Sequence, residues 1–129
     1  MRILTITKSA EFQKIGKKNT KFYSKTVLLL NSPTPSFYLQ DLTKNKNAKD
    51  FCRVGYTVSK VVGNAVNRNL AKRRLREIVR DLMPKYAKLH HDYVLIARKE
   101  IASAEFKQIE NDLKFCLKKI HQNSNPVKL

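Results

Sequence analysis

Residues 53–80, RVGYTVSKVVGNAVNRNLAKRRLREIVR, constrain the fold more than any other stretch, because three local patterns follow one another without a gap. Val54, Tyr56 and Val58 alternate with Arg53, Gly55, Thr57 and Ser59, the period of a strand. The first set reads as core and the second as a small, polar face open to solvent or to a chain of nucleotides. Gly63 supplies a turn, and Asn64 is a residue type whose side-chain oxygen caps a helix. At about 100° per residue, Ala71, Leu75, Ile78, Val79 and Leu82 then share one buried arc. Pro84 is expected to end the helix.

The same stretch carries eight Lys or Arg residues against the single Glu77. Arg68, Lys72 and Arg76, spaced i, i+4, i+8, occupy the arc beside the apolar one. Arg73 and Arg80 widen it, while Arg74 lies across the apolar stripe. Guanidinium groups projected from a rigid helix suit phosphate oxygens, which accept their forked donors in pairs. The competing reading is a solvated helix face, but such a face normally mixes signs. The whole chain has a net charge of +17 and a pI near 10.1, which draws polyanions, nucleic acid or anionic membrane alike.

With 129 residues the chain fits one domain, read as 1–129 with an ordered core over 8–121 and a frayed tail at 122–129. No apolar run approaches the roughly 20 residues that span a bilayer, and residues 2–8 are too short and polar for a signal peptide core. A cytoplasmic location is therefore expected. Cys52 and Cys116 lack C-x-x-C spacing and fall in apolar patterns, which reads as reduced packing residues.

Around this centre the chain reads as a short helix at 10–15 capped by Ser9, a basic turn at 16–21, and a strand at 26–30. A turn over 31–35 and a return strand at 37–42 follow. Residues 42–49, LTKNKNAK, read as a loop, either a spacer or an accessory phosphate contact. After a connector at 85–91 comes a strand at 93–97, then a helix capped by Ser103. In that helix Phe106, Ile109, Leu113, Cys116, Leu117 and Ile120 recur at three and four. Adjacent His90 and His91 make a poor metal site. The order α-β-β-β-α-β-α gives an α+β sandwich, a four-stranded sheet covered by helices.

The run Ser59-Lys60, Gly63-Asn64-Ala65-Val66, Arg68-Asn69, Lys72-Arg73 and Arg76-Glu77 closely resembles the signature of the bacterial ribonuclease P protein subunit. The same family's E-F-Q-K appears at 11–14 and its I-A-R-K at 96–99. The resemblance implies a left-handed β-α-β crossover, against the usual right-handed rule. It implies a ribonucleoprotein endoribonuclease whose RNA subunit holds Mg²⁺ and cuts the 5′ leader from precursor tRNA, so that no catalytic residue, metal site or organic cofactor is expected in this chain. The implied partners are the RNA subunit and the leader, with no membrane and no small-molecule substrate. Lys60, Asn64, Arg68, Asn69, Lys72, Arg73 and Arg76 are the implied contacts to the RNA subunit. Phe12, Lys14, Lys17, Arg53, Thr57 and Tyr38 are the candidates for the leader, with Phe12 open equally to a core role. Three positions depart from the family pattern: Leu70 where Arg is usual, Val61 where Lys is usual, and Gly16 in place of an aromatic. A general structured-RNA-binding module, such as a ribosomal protein, is the alternative; it would share the charge but not the full signature.

Overall fold

The segment HDYVLIA is apolar on both of its alternating faces apart from its first two residues, the pattern of a strand flanked and covered on every side. In the computed structural model, which describes residues 1–6, 20–35, 39 and 50–123, it is the central strand of a five-stranded sheet. In chain order the elements are β1 (Arg2–Thr5), β2 (Thr20–Tyr23), β3 (Val27–Pro33), β4 (Phe51–Thr57), α1 (Ala65–Tyr86), β5 (His91–Ala97) and α2 (Phe106–Asn123). Short 3-10 turns cover Lys60–Val62 and Lys99–Ser103.

The strand order is β1-β4-β5-β3-β2. β4 runs parallel to both β1 and β5, while β3 is antiparallel to β5 and β2. α1 is thus the crossover between two adjacent parallel strands. One sheet face meets the helices: Val27, Leu29, Cys52, Val54, Tyr93 and Leu95 pack with the stripes of α1 and α2. α2 is tied to the start of β3 by Asp112, whose Oδ2 accepts from the Thr26 hydroxyl at 2.6 Å and the Thr26 N–H at 3.2 Å. The opposite face carries a smaller cluster of Ile6, Leu30 and Val94.

That second face corrects the reading of β4. Arg53 and Gly55 are buried, and of that alternating set Thr57 and Ser59 are exposed. Arg53 sits directly across from Asp92 on β5 and grips its carboxylate with both prongs, Nε at 2.8 Å and Nη2 at 2.6 Å. The Thr34 hydroxyl donates to the same carboxylate at 2.8 Å. A buried charge is tolerated only when paired and hydrogen-bonded in this way.

Other boundaries move for local reasons. The sheet has five strands rather than four, because residues 2–5 and 20–23, the latter expected within or after a basic turn, are both strands. β3 extends through the residues expected to turn, since Asn31, Ser32 and Pro33 still pair with Tyr93, Asp92 and His91. α1 continues past Pro84 to Tyr86. Proline there forfeits only its own bond to the Arg80 carbonyl, while buried Met83 and the packed Tyr86 hold the last turn on the core. α2 begins after Ser103, whose hydroxyl instead approaches the Glu100 carbonyl at 3.4 Å. The helix expected at 10–15 and the loop at 42–49 lie outside the described residues, as does the return strand apart from Leu39. Leu39 donates its N–H to the Pro35 carbonyl at 3.2 Å, an i to i−4 bond of helical type.

Candidate nucleic-acid interface

The interface begins where β4 hands over to α1. Gly63 takes φ 134°, a conformation L side chains rarely adopt, and redirects the chain into the helix. Asn64 caps it: its Oδ1 accepts the Asn67 N–H at 2.9 Å. The helix is thereby set at a fixed phase, and its cationic arc follows from sequence spacing alone.

Along that arc Asn69, Arg73, Arg76 and Arg80 are exposed, with Arg68 and Lys72 half-buried. Val66, Asn69, Leu70, Lys72, Arg73 and Arg76 line one shallow groove. The Arg76 guanidinium lies 6.0 Å from the centre of the Tyr56 ring, so the aromatic at the end of β4 forms a platform for it. Burial pushes the Tyr56 hydroxyl up to about 12, against the lowering influence of Arg76 and Arg80, so it stays protonated and neutral. The Nε of Arg68 is buried with no hydrogen-bond partner. Among the described residues no carboxylate neutralises any cation of this arc. A row of uncompensated guanidinium and ammonium groups is an arrangement that an anion completes.

The structure therefore brings Asn69, Lys72, Arg73 and Arg76 to one groove and sets Arg68 beside them. Lys60 is exposed on the preceding 3-10 turn, and the Asn64 side-chain oxygen serves the helix cap. Val61 is 66% exposed and half-buried Leu70 lines the groove, so the departures at 61 and 70 place apolar surface within the cationic face. Of the leader candidates, Thr57 is exposed at the end of β4, and Arg53 is engaged with Asp92 as described. Phe12, Lys14, Lys17 and Tyr38 lie outside the described residues. Tyr56 was missed as part of the site, since alternation assigns it inward; its position one turn from Arg76 in space is visible only once the helix is docked. Arg74, across the stripe, donates through Nη1 to the Ala104 carbonyl at 3.3 Å and holds the chain between the helices.

Both cysteines are free and buried, and burial raises the Cys52 thiol to about 11. A second polar cluster lies under the C-terminal end of α1. The Tyr93 hydroxyl accepts the Lys88 N–H at 2.9 Å and sits 2.6 Å from His121 Nε2. Burial, reinforced by the Lys88 and His91 charges, lowers His121 to about 4. Among the described residues no group of three or more His, Cys, Asp or Glu side chains is placed to hold a metal ion, and no helix is long and apolar enough to cross a membrane.

A family profile described as Ribonuclease P matches residues 2–121. A ribonuclease P protein component from Paramagnetospirillum magneticum is 36% identical over 119 residues, covering 92% of this chain and 84% of the relative. One from Ruegeria pomeroyi is 44% identical over 87 residues, 67% of this chain and 70% of the relative. Among solved structures, a Staphylococcus aureus RNase P protein mutant with defective mRNA degradation activity superposes with a TM-score of 0.71 at 30% identity, covering 89% of this chain and 86% of that one. The Thermotoga maritima RNase P protein, at 23% identity and a TM-score of 0.70, shares the fold; 90% of this chain and 96% of that one are covered.

Proposed function

The chain belongs to the ribonuclease P protein component family, whose members act with an RNA subunit in tRNA 5′ maturation, and we propose that its α1 face is the surface that holds that RNA. The observation that carries this reading is the single-signed arc from Arg68 to Arg76, none of whose cations is neutralised by a described carboxylate. Phosphate oxygens of a folded RNA supply the missing negative charge and accept from the exposed guanidinium groups. Lys60, Asn64 and Asn69 flank that contact. In this reading the precursor tRNA leader runs past the Thr57 end of β4, and Phe12, Lys14, Lys17 and Tyr38 remain its candidate contacts from the sequence. Arg53 supports that surface from beneath through Asp92.

In this reading the catalytic centre and its Mg²⁺ ions belong to the RNA subunit. Magnesium is held by a few carboxylate or phosphate oxygens, and the described carboxylates of this chain are not gathered for that task. The protein's part is to bind, to position the substrate and to lower the repulsion between two polyanions. The left-handed sense of the β4-α1-β5 crossover and a cytoplasmic location belong to the same reading.

Reconstitution tests it. Protein alone should leave precursor tRNA intact, RNA subunit with Mg²⁺ should cut it, and adding the protein should strengthen binding of substrates that carry a leader. RNA copurified from the native cell should be one structured species of a few hundred nucleotides. Recovery of bulk ribosomal RNA instead, with no effect on cleavage, would overturn the reading in favour of a general RNA-binding module.

A further inference from the structure

α2 carries a second cationic surface. Lys107, Lys114, Lys118 and Lys119 share the helix with only two carboxylates. Asp112 is turned to Thr26, and Glu110 pairs with Lys107 at 3.0 Å. Among the described residues no carboxylate pairs with Lys114, Lys118 or Lys119.

Two of these lysines converge. The ammonium groups of Lys114 and Lys118 lie 5.8 and 5.6 Å from the centre of one ring, Tyr86 at the end of α1. About 100° further round the helix, Lys119 lies 5.8 Å from the ring of Phe115, which is 48% exposed and outside the core. Gathering two like charges on one aromatic is unfavourable by Coulomb's law and only partly offset by the ring. An anion between them turns the repulsion into attraction.

This surface is separate from the arginine face. Arg76 lies against Tyr56 of β4, whereas α2 packs over β3 and β2, on the other side of β5. Arg74, on the flank of α1 that faces α2, is tied to Ala104, and where the two faces meet, in a groove lined by Arg80 and Lys85 of α1 and Lys107 and Lys114 of α2, the carboxylates of Asp81 and Glu110 interrupt the cations. The chemistry differs too. Lysines are compact point charges that grip phosphates without reading geometry, whereas the guanidinium groups of α1 favour paired oxygens. A membrane surface fits poorly, because interfacial helices need a broad apolar face and Phe115 is the sole large apolar residue of α2 exposed among those described.

We propose that the outer face of α2, with Tyr86, is a second RNA-backbone surface that grips a helical segment of the RNA subunit different from the one held by α1. The proposal rests on the family reading above.

The test compares K114Q/K118Q/K119Q with K114R/K118R/K119R and with R73A/R76A, each assembled with the RNA subunit after thermal melting has established that it folds. The Gln variant should flatten the dependence of log affinity on log salt by nearly three units, about 0.9 for each lost phosphate contact, so that raising salt from 50 to 200 mM costs it about fortyfold less affinity than it costs the parent chain. The Arg variant should restore the slope. An unchanged slope in the Gln variant, while R73A/R76A weakens assembly, would overturn the second surface and leave the first. No effect from R73A/R76A would instead strike the family reading of α1. Vesicles of anionic phospholipid serve as the other arm: lysine-dependent vesicle binding with an unchanged RNA slope would overturn the proposal in favour of a membrane.

Discussion

Gly63 holds φ 134°, and a Cβ there would stand 2.7 Å from Asn67 Nδ2 and 3.2 Å from its Cβ. Gly63→Ala therefore combines backbone strain with a contact that pushes Asn67 away from the Asn64 cap, and should lower stability by roughly 1–3 kcal/mol. Thermal melting reads that cost, and a matching fall in RNA affinity would report that the phase of α1 had shifted. His121 sets a second expectation. Its folded value of about 4 lies below the ordinary 6.5, so the folded chain favours the neutral ring. As pH falls from 6.5 toward 4 the unfolded chain takes up a proton that the folded one refuses, and stability drops by on the order of 2 kcal/mol. Denaturant unfolding at pH 7 and pH 4.5 should show that loss, and His121→Gln should reduce it. Residue patterns foretold the Asn64 cap and the Gly63 turn because both are local. They misjudged Arg53, because alternation tells which way a side chain points but not that Asp92, 39 positions on, meets it there.

At the scale of elements, α1 separates its charges by phase. Arg73 points outward along the groove, whereas Arg74 reaches the Ala104 carbonyl at 3.3 Å. Arg74→Ala should cost the worth of one charged hydrogen bond, roughly 1.5–3 kcal/mol of stability, read as a lower melting temperature with the salt dependence of RNA binding intact. Arg73→Ala should do the reverse, leaving melting unchanged and flattening the salt slope by about one unit. Both helices were legible, since their stripes span several turns and their periods cannot be mistaken. β1 and β2 were not. Each has four residues, too few for a period to declare itself, and β1 exists only because β4 offers it a parallel edge.

For the molecule as a whole, a net charge of +17 means that the compact state repels itself, and the strain concentrates where the α1 and α2 cations lie unneutralised. Sulfate should raise the melting temperature above that in chloride at equal ionic strength, by an amount equivalent to about 1.4 kcal/mol once free sulfate reaches ten times its dissociation constant. Coincident melting curves in the two salts would count against anion sites on the folded chain. The strand order has a further effect during synthesis. β5 occupies the middle of the sheet yet is the last strand to leave the ribosome, and both halves of the sheet join only through it. Before residue 97 emerges, β2 and β3 can form a hairpin and β1 can meet β4, but nothing links the two pairs. Closure of the sheet is thus deferred until β5 has emerged, and a nascent chain stopped ahead of β5 should remain protease-sensitive however long it waits.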